Sequence, residues 1–180
     1  MNFKSISRTL SVVAICAAAA VIAGCATASK PENMVPVTAI AGARHQASAS
    51  VVVAGGQQTD SLGKSQISNE AFQQAIVQSI EKNKTFASVV KGAGGDYQLA
   101  VTVVSMDQPS FGFSFTVKME AAWSLKKADG TVVLQETIRS EGTAGATEAF
   151  AGVERLRLAN EYAARNNIAA GLEKIGKLNF

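Results

Sequence analysis

The feature that most restricts the fold is the run from Phe111 to Leu125. Phe111, Phe113, Phe115, Val117, Met119, Ala121, Trp123 and Leu125 are apolar at strict period two, and Gly112, Ser114, Thr116, Lys118, Glu120, Ala122 and Ser124 fill the alternate places. Side chains of a strand point alternately to its two faces, so this pattern predicts a long strand with one face in a core and one in water. A helix would scatter the same residues around its circumference. One-sided strands of this kind belong to antiparallel sheets, so their neighbours should show the same alternation. Tyr97, Leu99, Val101 and Val103 do so before a turn at Gln108-Pro109, and Val132, Leu134 and Ile138 do so after Asp129-Gly130, a good hairpin turn.

Helices must cover the apolar face of such a sheet, and two segments suit this task. Ser68 can cap a helix in which Glu70 suits the positive end of the dipole, with Ile67 placed to pack on Phe72. Phe72, Ile76 and Ile80 then form an apolar stripe that ends near Lys82, Asn83 and Lys84. A second helix is expected between Glu148 and Lys177, with Leu158, Tyr162, Ile168, Ala169, Leu172 and Ile175 facing the sheet. Val51-Val52-Val53, closed by Gly55-Gly56, reads as a first strand, and Phe86 to Val90 as an extended segment before the glycine-rich loop at 92–95. The predicted order is β-α-β-β-β-α: an α+β two-layer sandwich, with a mainly antiparallel four-stranded sheet and two helices on one face.

The amino terminus says where such a domain works. Lys4 and Arg8 precede an apolar run of about a dozen residues that closes on Val21-Ile22-Ala23-Gly24-Cys25, the pattern of an export signal too short to span a bilayer. Cys25 after Ala23-Gly24 resembles the lipobox of bacterial lipoproteins. The resemblance implies cleavage between Gly24 and Cys25, acylation of Cys25, and attachment to the membrane through that covalent lipid. With Ala26 rather than Asp after the cysteine, it also implies the outer membrane, on its periplasmic face. The expected units are a signal peptide over 1–24, a lipidated tether over 25–46 containing Pro31 and Pro36, and a folded domain over 47–180.

Processing changes the composition that matters. Removal of 24 of the 180 residues leaves 156, one domain's worth, and takes Cys16, Lys4 and Arg8 away. The mature chain then holds 15 cations against 14 acids, so the basic charge of the whole sequence is no nucleic-acid footprint. With Cys25 acylated, no disulfide can form within one chain, and the core alone must hold the fold.

No constellation of residues points to catalysis. His45 is the sole histidine and is expected as a solvated tether residue, so serine chemistry lacks its usual base and zinc lacks its usual ligands. Gly55-Gly56 with Gly63-Lys64-Ser65 misses the phosphate-loop spacing, which would need glycine at Gln58. Asp107, Glu120, Glu136 and Glu141 offer carboxylates without a platform for a sugar. The expectation is no enzyme, no cofactor, no metal, no nucleotide and no nucleic acid.

Two features go beyond packing. Glu161 and Arg165 fall in the apolar sector of the last helix and Glu136 has core parity, which makes these three a candidate polar cluster between helix and sheet. Phe111 and Phe113, at the sheet margin after Pro109, are a candidate ledge for a partner or an acyl chain. The element order, with Ile67-Ser68-Asn69-Glu70 and Ala163-Ala164-Arg165-Asn166-Asn167-Ile168 in the helices, is similar to small Gram-negative envelope lipoproteins. YajG-like lipoproteins and the auxiliary lipoproteins of ABC-type lipid transport are such groups. The resemblance implies a non-enzymatic binding or assembly module serving outer-membrane or lipid-transport machinery, with an envelope protein or lipid as partner. An envelope hydrolase or transferase using carboxylates is the competing class, and a purely structural surface lipoprotein is a third.

Overall fold

The computed structural model describes residues 26–61 and 63–179. A 3-10 turn at Pro31–Met34 precedes β1 (His45–Ala54), α1 (Asn69–Asn83), β2 (Phe86–Val90), β3 (Tyr97–Asp107), β4 (Ser114–Lys127), β5 (Val132–Gly145) and α2 (Gly152–Gly176). The sheet order is β2-β1-β3-β4-β5. β1 is parallel to β2 and β3, and β3-β4-β5 is an antiparallel meander. The α+β class and the pair of helices are as expected, but the sheet has five strands and is mixed.

The fifth strand is the segment Phe86–Val90. Lys84 caps α1 in the left-handed conformation (φ 54°), which turns the chain back to lay Phe86–Val90 along the outer edge of β1. A helix crossover of this kind is what parallel neighbours require. β2 pairs with β1 as far as Ser50, and β3 takes up the other edge of β1 from Ala49 onward. The glycine-rich loop between them passes beside β1, where Asp96 accepts hydrogen bonds from the Ser48 amide (2.7 Å) and hydroxyl (2.8 Å). The expected antiparallel character therefore holds only for the meander.

In-phase alternation puts the core on one face. Val51, Leu99, Leu125 and Leu134 lie side by side across four strands, and Val53, Val101 and Trp123 form the next row. All seven are buried, together with Phe115, Val117, Met119 and Ala121. Both helices cover this face, α1 over β1 and β2 and α2 over β4 and β5. The start of β4 differs from the sequence expectation. Phe111 and Phe113 precede the strand, because Gly112 has φ +143° and the pairing with β5 stops at Ser114 opposite Gly145.

α1 begins as predicted, with the Ser68 hydroxyl accepting from the Ala71 amide (3.1 Å), and buries Phe72, Ile76 and Ile80. α2 is turned relative to its expected face. Ile168, Leu172 and Ile175 are buried, whereas Leu158, Tyr162 and Ala169 are only half-buried, and the buried surface takes in Ala159, Ala163, Ala164 and Gly171 instead. Small residues win these places because the helix lies close to the sheet. A Cβ on Gly142 of β5 would fall on the Ala163 amide and the Ala159 carbonyl, and one on Gly171 would stand 2.6 Å from the Trp123 ring.

Residues 26–44 are not a free tether. The Ala26 amide bonds the Ser61 carbonyl (3.0 Å), Met34 is fully buried, Ile40 donates to Asn83 Oδ1 (2.9 Å), and Ala43 donates to the Gly176 carbonyl (2.7 Å). The segment thus runs over the helical layer from the amino-terminal ends of the helices to their carboxyl-terminal ends, where β1 begins. His45, expected in water, is buried at that turn with Nε2 3.1 Å from the Ile175 carbonyl and its ring tilted on Phe86.

Candidate functional site

The candidate polar cluster forms around Glu161 and omits Glu136. Glu161 is completely buried, and an ionised carboxylate there needs several donors to replace water. It has three: the Arg157 guanidinium one turn earlier, the Lys30 amide (2.8 Å) and Asn33 Nδ2 (3.0 Å). Arg165 joins through the same residue, its Nε donating to the Asn33 carbonyl (2.9 Å), while its guanidinium lies 5.0 Å from the Tyr162 ring centroid. Arg157 also bonds Glu154, a pairing that raises the guanidinium pKa and lowers that of the Glu154 carboxyl. This network ties the segment around Pro31–Met34 to α2. Glu136 has core parity as read, opposite Trp123, but on the edge strand β5 it meets Lys174 (2.7 Å) at the other flank of α2.

Other polar pins were not visible in the sequence. Asn167 Oδ1 accepts from the Trp123 indole (2.9 Å), and its Nδ2 donates to the Ile138 carbonyl (3.0 Å), locking helix to sheet. Asn160 Nδ2 and Gln108 Nε2 both donate to the Ser65 carbonyl (2.8 and 2.9 Å), closing the loop after β3 onto α2. Lys64 and Ser65 serve the same end of the molecule structurally: Lys64 reaches Ser110 Oγ (3.3 Å) and Ser65 donates to the Thr27 carbonyl (2.7 Å).

The carboxylates considered for catalysis stand on the open sheet face or its edge. Glu120 pairs with Arg139 (2.7 Å) and Glu141 with Lys118 (3.8 Å), an arrangement of cross-strand ion pairs at the surface.

The aromatic ledge is larger than the sequence suggested. Phe111 and Phe113 are each 89% exposed, and Phe150, in the loop before α2, is 93% exposed. Arg155 joins the two loops: Nη2 donates to the Gly112 carbonyl (3.1 Å), and Nη1 donates to the carbonyls of Phe150 (2.9 Å) and Ala149 (3.2 Å). Its guanidinium sits 5.1 Å from the centroid of Phe115, the buried aromatic that starts the core. The three exposed rings are therefore carried on two loops that Arg155 links to each other. Phe150 escaped the sequence reading because it stands alone in a Gly, Ala and Thr-rich hinge. The available signal was its mismatch: it continues neither the alternation of β5 nor the stripe of α2.

The signal segment and Cys25 lie outside the described residues. Among the described residues no helix is long and apolar enough to cross a membrane.

Compared with family models and with curated proteins, the chain matches none. Solved structures do share its fold. A DUF330 protein from Xanthomonas campestris aligns over 84% of this chain and 93% of its own, with 17% identity and a TM-score of 0.57. A hypothetical protein from Chlamydia trachomatis aligns over 72% and 98%, with 6% identity and a TM-score of 0.51. A protein from Caulobacter crescentus CB15 taken to be a lipoprotein aligns over 71% and 87%, with 15% identity and a TM-score of 0.49. At these identities the first two likenesses are of fold alone.

Proposed function

We propose that the chain is a lipid-anchored envelope protein of a Gram-negative bacterium, held on the periplasmic face of the outer membrane, that works as a non-enzymatic binding or assembly module. The observation that carries this reading is Cys25 after Ile22-Ala23-Gly24, behind a short apolar run and two cations. A single acyl chain binds a bilayer only marginally, and the several chains of a lipoprotein would make attachment stable.

The arrangement of the folded part supports binding rather than chemistry. Glu120, Glu136 and Glu141 are each matched to a cation, and the buried carboxylate Glu161 is engaged by an Arg and two amide donors in tying down the amino-terminal segment. What the molecule offers to its surroundings is the aromatic ledge, apolar area that a soluble surface does not usually display on two adjacent loops. Service to outer-membrane or lipid-transport machinery is the role that suits such a module.

The test is metabolic labelling with a fatty acid in cells producing the wild type or Cys25→Ala. The wild type should take up label and sediment with membranes, and the variant should lose both. Equal labelling and fractionation of the two would remove the lipoprotein reading.

A further inference from the structure

The ledge and the start of the described chain lie at the same end of the molecule. Ala26 is fixed there by its bond to the Ser61 carbonyl (3.0 Å), and Thr27 by Ser65 Oγ (2.7 Å) and Glu154 Oε2 (3.5 Å). Glu154 adjoins Arg155, the residue that holds the Gly112 and Phe150 carbonyls, and Lys64 beside Ser65 reaches Ser110 next to Phe111. After Thr27 the chain runs away from this end across both helices. Cys25 directly precedes Ala26 in the sequence, so an acyl anchor on it joins the chain next to this fixed end.

We infer that Phe111, Phe113 and Phe150 form a membrane-docking surface that inserts into the bilayer holding the Cys25 acyl chains and fixes the orientation of the domain, with the helices and strands rising from the membrane by their ledge end. This rests on acylation of Cys25. The occupant is a lipid bilayer rather than a protein for two reasons on the molecule. An anchor attached one residue before Ala26 brings the lipid surface to this end whatever else binds there. The rings also stand out from two loops, nearly fully exposed, instead of lining a groove. Protruding apolar side chains need a matched pocket on a protein, whereas a bilayer accepts them without one, and aromatic residues concentrate at membrane interfaces. Arg155 adds preorganisation, because the loops need not be ordered on contact.

The mature chain has no cysteine besides Cys25, so a single introduced thiol can report depth. Lipidated protein purified from membranes, carrying Phe113→Cys labelled with a polarity-sensitive fluorophore, is reconstituted in phosphatidylethanolamine–phosphatidylglycerol vesicles with brominated acyl chains. Ala128→Cys marks the opposite end, at the β4–β5 turn, about 40 Å away along the strands. Both positions are exposed, so folding should survive, and intact mass establishes acylation in each sample. The expected result is blue-shifted, quenched emission at 113 and unquenched, water-like emission at 128. Acylated protein with water-like emission at 113, or with equal quenching at both positions, overturns the docking surface while leaving the anchor intact. That includes the case of a ledge reserved for a protein partner. A mature chain without acyl mass removes the lipoprotein reading and the docking surface with it.

Discussion

Trp123→Ala tests the physical basis of the fold most sharply. Trp123 is 0% exposed, lies between Val101 of β3 and Glu136 of β5, packs against Gly171 of α2, and donates its indole N–H to Asn167. A buried Trp hides about 150–250 Å². At about 25 cal/mol per Å² this corresponds to about 4–6 kcal/mol, an upper bound because the unfolded chain hides part of that area already. Truncations of large core residues cost about 3–5 kcal/mol. The Asn167 carbonyl also loses its donor, a penalty of about 1–3 kcal/mol if it stays buried. Trp123→Ala should therefore cost at least about 3 kcal/mol, a large share of the roughly 5–15 kcal/mol that holds a domain together. Trp123→Phe keeps most of the area and isolates the hydrogen bond, for a loss of about 1–3 kcal/mol. Ser124→Ala, on the other sheet face, should change little. Urea melts followed by circular dichroism give all three, since the chain's one Trp is the residue altered. A loss for Trp123→Ala no larger than for Ser124→Ala would refute both the register and the placement of the helices.

Gly142→Ala would drive a methyl into the α2 backbone at Ala159 and Ala163, and should destabilise by about 1–3 kcal/mol in the same melts. Phe111→Ser with Phe113→Ser should leave stability within about 0.5 kcal/mol of wild type, because both rings are already in water. Acid should weaken the fold: bonds from Arg157, the Ser48 amide and the Gly145 amide lower the pKa of Glu154, Asp96 and Glu148, so the unfolded chain takes up protons first. A pH series of thermal melts should hold level down to the ordinary carboxyl values of 4.5 for Glu and 3.8 for Asp and then fall; a midpoint that does not drop on acidification contradicts these pairings.

The meander was legible because one face of each long strand is core and the other is solvent, which writes period two directly into Tyr97–Val103 and Phe115–Leu125. The Ser68 cap was legible because capping is local. β2 was not, since a five-residue edge strand buries Phe86 but leaves Ala87 and Ser88 in water, so no alternation identifies its pairing. Nor was the docking of residues 26–44, because its main-chain bonds to Ser61, Gln66 and Gly176 and its contacts with Glu161 and Asn83 depend on partners distant in sequence. The face of α2 was misjudged for a related reason. Leu158 and Tyr162 look like core residues on a wheel, but close approach to Gly142 favours Ala159 and Ala163, and Asn160, Glu161 and Asn167 are buried because each has a fixed partner. At the candidate site, Phe111 and Phe113 could be placed at a sheet margin from the sequence, whereas Phe150 could be joined to them only by seeing Arg155 bridge the two loops.

Acylation of Cys25 would hold the protein at the membrane, and intact-mass spectrometry of the protein extracted from outer membranes tests it directly. The prediction is a chain shortened by the 24 residues before Cys25 and heavier by a diacylglyceryl group and an amide-linked acyl chain, with the added mass on the amino-terminal peptide. A mature chain that keeps those residues, or that begins at or after Cys25 without acyl mass, would contradict it.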